Sequence, residues 1–94
     1  MDELVRIRTL NRALEQAAAE EDWPRVVEVD AERAQLLRRL PLSDAPALRD
    51  VVEEAVGVTQ AVLARAVEAR ESTMTELRGL QRGKRGASAY HQQP

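Results

Sequence analysis

Residues 20–40 read EEDWPRVVEVDAERAQLLRRL and contain the helix break that organises the chain. Proline disfavours helical geometry for the residue before it and is accepted in a first helical turn. A helix should therefore end at Asp22 and Trp23, and a second helix should cover about residues 24–40. The apolar stripe of this second helix recurs at three- and four-residue steps, at Val26, Val29, Arg33, Leu36 or Leu37, and Leu40.

Helical periodicity continues on both sides of this segment. The first helix should cover about residues 2–20, with its stripe at Leu4, Ile7, Leu10, Leu14, Ala17 and Ala18. The motif LPLSDAP should end the second helix, and Ser43 or Asp44 can cap the third. The third helix should cover about residues 46–80, with Gly57 the only interruption. Its stripe is predicted at Leu48, Val52, Val56, Thr59, Leu63, Val67, Arg70, Met74 and Leu77.

The sequence thus predicts an all-α fold, an antiparallel three-helix hairpin or bundle over residues 1–80. About 35 residues of helix span roughly 50 Å, whereas each of the first two helices reaches only about 25 to 30 Å. The second half of the third helix should consequently expose apolar side chains. They could be covered by the tail, by a second copy or by another protein. The basic, glycine-containing tail, residues 81–94, should be flexible or partly helical, and Tyr90 either docks or stays free.

Composition argues against an enzyme. The chain has no cysteine, and its one histidine, His91, lies near the end, so we expect no metal and no cofactor. Small helical chorismate mutases have this size, but they commonly use a core lysine, and the only lysine here is Lys84 in the tail. No apolar run is long enough to span a bilayer and no signal peptide is visible, so we expect a cytoplasmic protein without membrane insertion.

Charge is distributed unevenly along the chain. Residues 1–76 carry 10 basic and 16 acidic side chains, a net charge of −6, whereas residues 77–94 carry four basic side chains and no acid. This is a weak footprint for nucleic acid, which we do not expect as a partner. A solvated tail, or one that steers toward an acidic partner, fits the pattern better.

The ordered features resemble a known family. They are LNRALEQAAAEEDW closing the first helix, VVEVDAERAQLLRRL in the second, a long third helix, and a small-residue tail with ASAY. Together they resemble the FliT-type flagellar export chaperones, which are related in architecture to the FlgN-type chaperones. The resemblance implies binding of the filament-cap subunit, FliD-like, before type III export, and engagement of the export ATPase complex. Some members also bind a transcriptional regulator. Better known members carry a fourth helix over the third, and the glycine-broken tail departs from that pattern.

The predicted binding surface is the apolar face of the third helix. The candidate partner-binding residues are Val56, Leu63, Val67, Arg70, Met74, Leu77 and Leu80, against which an amphipathic client segment would lie. Trp23 is interpreted as a core plug, and Arg33 as one half of an ion pair with Glu53, Glu54 or an acid of the first helix. Two alternatives remain open: a self-associating structural or adaptor protein, with a weak homodimer compatible with either class, and a FlgN-like chaperone for hook–filament junction proteins.

Overall fold

The protein is built from three α-helices. The computed structural model describes the backbone of residues 2–41 and 45–92, and the side chains of residues 3–41 and 45–84. The helices are α1 (Asp2–Ala19), α2 (Trp23–Arg39) and α3 (Pro46–Gln92). Because α1 packs against both α2 and α3, the helices form a bundle, and the long α3 extends the molecule to 76 × 19 × 17 Å. The predicted fold class and the long third helix are confirmed.

The turn between α1 and α2 is fixed by local hydrogen bonds. Glu21 has a positive φ of 57°. Its backbone N–H donates to the Ala18 carbonyl at 3.1 Å, and the N–H of Asp22 donates to the Ala17 carbonyl at 2.9 Å. This pair of bonds satisfies carbonyls that the end of α1 leaves free. The Asp22 carboxylate then caps α2 by accepting from the Arg25 N–H at 3.3 Å.

The core is thin and uses small side chains. Its buried apolar residues are Ile7, Leu10, Leu14, Ala17 and Ala18 of α1, Val29 of α2, and Val51, Ala55, Val58 and Val62 of α3. The apolar stripe predicted on α3 is thus not the row that packs inward, since Val52 and Val56 remain about half exposed. The reason is that α3 has two apolar rows roughly 100° apart on the helix. The row with alanine and valine lies against α1, because small side chains let helices approach closely.

The structure ends α3 later than the sequence predicted. Helical backbone continues past Leu80 to Gln92 and includes Gly79 and Gly83. Each glycine weakens a helix by about 1 kcal/mol relative to alanine without excluding it. The predicted flexibility of this segment stays a prediction. The predicted caps Ser43 and Asp44 and the side chain of Tyr90 lie outside the described residues.

Replacing Gly57 with alanine is expected to stabilise the protein by about 0.5 to 1 kcal/mol. Gly57 is exposed within α3, and an added Cβ would meet no atom within 4 Å, so close helix approach does not explain this glycine. Thermal unfolding followed by circular dichroism should show a melting temperature a few degrees higher. The converse change at a comparable exposed position, Ala64→Gly, should lower it similarly. A Gly57→Ala chain that melts no higher than the wild type would contradict this expectation.

Candidate functional site

A row of exposed apolar side chains runs along α3 beside the core face. We call it the groove strip: Val52 (44% exposed), Val56 (51%), Leu63 (60%), Val67 (55%) and Met74 (42%). The intervals along the strip are four and seven residues, which keep these side chains on one side of a helix. Large apolar side chains in an unbroken exposed row are characteristic of binding surfaces.

The helix α2 supplies the opposite wall. Whereas α1 contacts both of the other helices closely, α2 and α3 approach each other at few points, and a groove remains between them. Three apolar depressions lie along this groove, and no residue of α1 lines any of them. Two share Leu37 and Val52, and the third lies near the start of α2. From one end to the other they are lined by Leu37, Leu40, Pro41, Leu48 and Val52; by Leu37, Val52, Ala55, Val56 and Thr59; and by Trp23, Val26, Val27, Ala66, Ala69 and Met74.

The groove has the dimensions of a helix-binding site. Its lining residues on α3 range from Leu48 to Met74, and the part that α2 (17 residues) also walls is about 26 Å long at 1.5 Å per residue. In a four-helix bundle, each helix packs against two neighbours and faces a third across the core. Here α1 occupies one side of the α2–α3 pair, so the groove lies at the position of a fourth helix.

A buried arginine holds the groove walls in place. Arg33 is only 3% exposed. Its Nη1 donates to Asn11 Oδ1 of α1 at 2.8 Å and to the Ala55 carbonyl of α3 at 3.1 Å. Its Nη2 donates to Asp30 Oδ1 at 3.1 Å and to the Thr59 hydroxyl. One side chain therefore joins all three helices beneath the middle of the groove.

The predicted partners of this arginine were wrong. Glu54 pairs instead with Arg8 of α1 at 3.2 Å, and Asp30, on the same helix as Arg33, supplies the carboxylate. The cause is geometric, because the guanidinium points between α1 and α3 and meets amide, carbonyl and hydroxyl oxygens there. The buried Asn11, which sequence reasoning missed, is one of these acceptors.

Trp23 lies at the end of the groove where α2 begins. It is half-buried and packs against the core cluster that includes Leu10 and Val62. It also lines the groove together with Val27 and Met74. The tryptophan therefore contacts the core and the candidate site at once.

The residues that the sequence assigned to partner binding lie in different parts of the structure. Val56, Arg70 and Met74 line the groove. Leu63 and Val67 belong to the groove strip. The remaining two, Leu77 and Leu80, are exposed on the part of α3 beyond the start of α2.

From the sequence, the second helix could contribute to the binding face, but none of its residues was among the candidates. Its groove residues include Val27, which is 69% exposed, and Leu37. The adjacent pair Val26 and Val27 carried a signal, since two neighbouring residues of a helix cannot both face the centre of one core.

The described residues offer binding chemistry more readily than reaction chemistry. No group of histidines and acids within the described ranges is placed to hold a metal ion. Within the same ranges, no helix is both long enough and apolar enough to cross a bilayer. A long apolar groove with few polar groups suits an amphipathic helix.

Comparison with known proteins places the chain in a family. The family model described as "Flagellar protein FliT" matches residues 1–93. Searches against curated proteins and against solved structures gave no significant match. Because the family match extends over nearly the whole sequence, the chain belongs to the FliT family of flagellar export chaperones.

Proposed function

We propose that this chaperone binds the FliD-like filament-cap subunit through the groove between α2 and α3. Binding takes place in the cytoplasm, before the subunit is delivered to the type III export apparatus and its ATPase complex. The observation that supports this proposal is the set of apolar depressions between α2 and α3, with the groove strip running beside them.

The groove suits one amphipathic helix of the client. Such a helix presents apolar residues at three- and four-residue steps, and these can pack between the groove strip and Val27. Arg70 lines the end of the groove near Trp23, so an acidic residue on that flank of the client helix would be favoured, whereas Arg49 and Glu53 both line the other end. Burial of a valine, leucine or methionine side chain contributes about 1.5 to 3 kcal/mol. Burial of the few half-exposed side chains in the groove therefore supplies enough free energy for micromolar binding after the costs of association are subtracted.

Covering that client helix also explains a protective role. A subunit that assembles through an apolar helix associates prematurely when the helix is exposed at high concentration. A chaperone that occupies the same helix blocks this association, and release at the export apparatus restores it. No reaction is required for this activity.

Titration of the protein with purified cap subunit should shift the fluorescence of Trp23 to shorter wavelength. This is the only tryptophan in the chain, and it lines one end of the groove. A client helix over the groove would remove water from the indole ring. A Trp23→Phe chain provides the control, because any signal that remains belongs to the client.

Three outcomes would contradict the proposal. Binding measured by sedimentation with unchanged Trp23 emission would locate the client elsewhere on the chaperone. Binding of a hook–filament junction subunit in preference to the cap subunit would favour a FlgN-like client. A tight dimer of the isolated chain at low micromolar concentration would favour the self-associating class.

A further inference from the structure

The end of α3 carries a second exposed surface, which adjoins the groove strip where Arg78 lies beside Met74. The groove ends near Met74, and every residue from Glu71 to Lys84 is exposed. We call residues 77–84 the basic tip. It contains Arg78, Arg82 and Lys84, and no acid follows Glu76 anywhere in the sequence. Among the described residues, none of these three cations forms an ion pair.

The basic tip is amphipathic over its eight residues. Leu77 and Leu80 are three residues apart and lie on one side of the helix, 47% and 71% exposed. Arg78 and Arg82 are four residues apart and share another side. Lys84 follows Leu80 by four residues and Leu77 by seven, so it lies on the same side as the leucines, and its long stem can extend along the surface. Leucines on one side of a helix and arginines on the opposite side are typical of helices that lie on a membrane surface.

We propose that the basic tip binds the surface of an anionic lipid bilayer, with Leu77 and Leu80 in the headgroup region and the cations beside lipid phosphates. The rest of the chain opposes full contact, because residues 1–76 have a net charge of −6 and are repelled by such a surface. The molecule is 76 Å long, and screening acts over about 8 Å at physiological salt. We therefore expect α3 to lie tilted, with its C-terminal part on the bilayer and with α1 and α2 outside the range of repulsion.

Other acidic partners fit the tip less well. Single-stranded nucleic acid is bound by cations together with aromatic side chains that stack on bases, and residues 77–84 contain no aromatic residue. A stable protein interface covers about 800 Å² on each partner, which two leucines cannot approach. A bilayer needs no matching shape, and each basic residue near an anionic surface strengthens binding about fivefold.

Sedimentation with lipid vesicles tests the proposal on the full chain. Vesicles of phosphatidylglycerol mixed with phosphatidylcholine should bind the protein at least tenfold more strongly than vesicles of phosphatidylcholine alone. About 0.5 M salt should remove most of this binding. The triple variant R78Q/R82Q/K84Q should bind about a hundredfold more weakly, and L77S/L80S should also bind at least severalfold more weakly. Because these residues are exposed, circular dichroism should show both variants folded.

A matched variant separates the tip from net charge. R12Q/R38Q/R39Q removes the same charge from exposed sites of α1 and α2. Its affinity for the vesicles should be close to that of the wild type, and therefore higher than that of the R78Q/R82Q/K84Q chain. Equal losses in the two triple variants would overturn the proposal. So would equal binding to both lipid mixtures, an unaffected L77S/L80S chain, or tight binding to a DNA duplex without binding to vesicles.

Discussion

A chain carrying aspartate at Val67 or Met74 is expected to bind the filament-cap subunit roughly 30- to 1000-fold more weakly than the wild type. Each substitution removes an apolar contact from the groove strip and places a carboxylate where the client helix would exclude water. The combined cost is about 2 to 4 kcal/mol, which sets the expected loss of affinity. Both side chains are about half exposed in the free protein, so the melting temperature should fall by only a few degrees.

Isothermal titration with the purified cap subunit measures the affinity, and thermal unfolding measures the stability of the same chains. Val5→Asp is a matched control, because Val5 is 64% exposed on α1, which contributes no residue to the groove or to the groove strip. It should leave affinity within about twofold. If Val67→Asp and Met74→Asp instead lower the melting temperature strongly and leave affinity intact, the groove strip is ordinary core and the proposed site is wrong.

Replacement of Arg33 with leucine is expected to destabilise the protein by about 2 to 4 kcal/mol. The change leaves Asn11 Oδ1 buried without its donor, which costs about 1 to 3 kcal/mol, and it removes the second hydrogen bond of the Ala55 carbonyl, which keeps its helical donor. For a domain of this size, the melting temperature should fall by roughly 10 to 20 °C. Urea and thermal unfolding followed by circular dichroism provide the measurement.

Two further variants identify the origin of this effect. The double variant Arg33→Leu/Asn11→Leu should recover part of the loss, because it removes a buried acceptor together with the donor. Asp30→Asn should cost less than about 1 kcal/mol, since Asp30 is 57% exposed and its ion pair is screened by water. An Arg33→Leu chain as stable as the wild type would show that the hydrogen bonds of Arg33 do not align the helices. A large effect of Asp30→Asn would attribute the stability to the ion pair instead.

The helices themselves could be predicted because their signals are local. Pro24 breaks the helical pattern after Asp22, and the structure starts α2 at Trp23. Leu10 and Leu14 recur at helical spacing in α1 and are buried as expected. The prediction failed at the end of α3. Gly79 weakens the helix there, but the sequence pattern does not show whether this cost exceeds the free energy gained by extending the helix.

The amino-acid sequence by itself determined three helices, their order and the unequal length of the third, because break residues and periodicity act within a few residues of chain. Only the tertiary structure decided that Val51 and Ala55, not Val52 and Val56, face α1, since α3 has two apolar rows and one neighbour can cover only one of them. It likewise decided the acceptors of Arg33 and the groove beside it. These features depend on distances between residues of different helices. Such distances are set by how side chains of different size pack together, and the periodicity within one helix does not specify that packing.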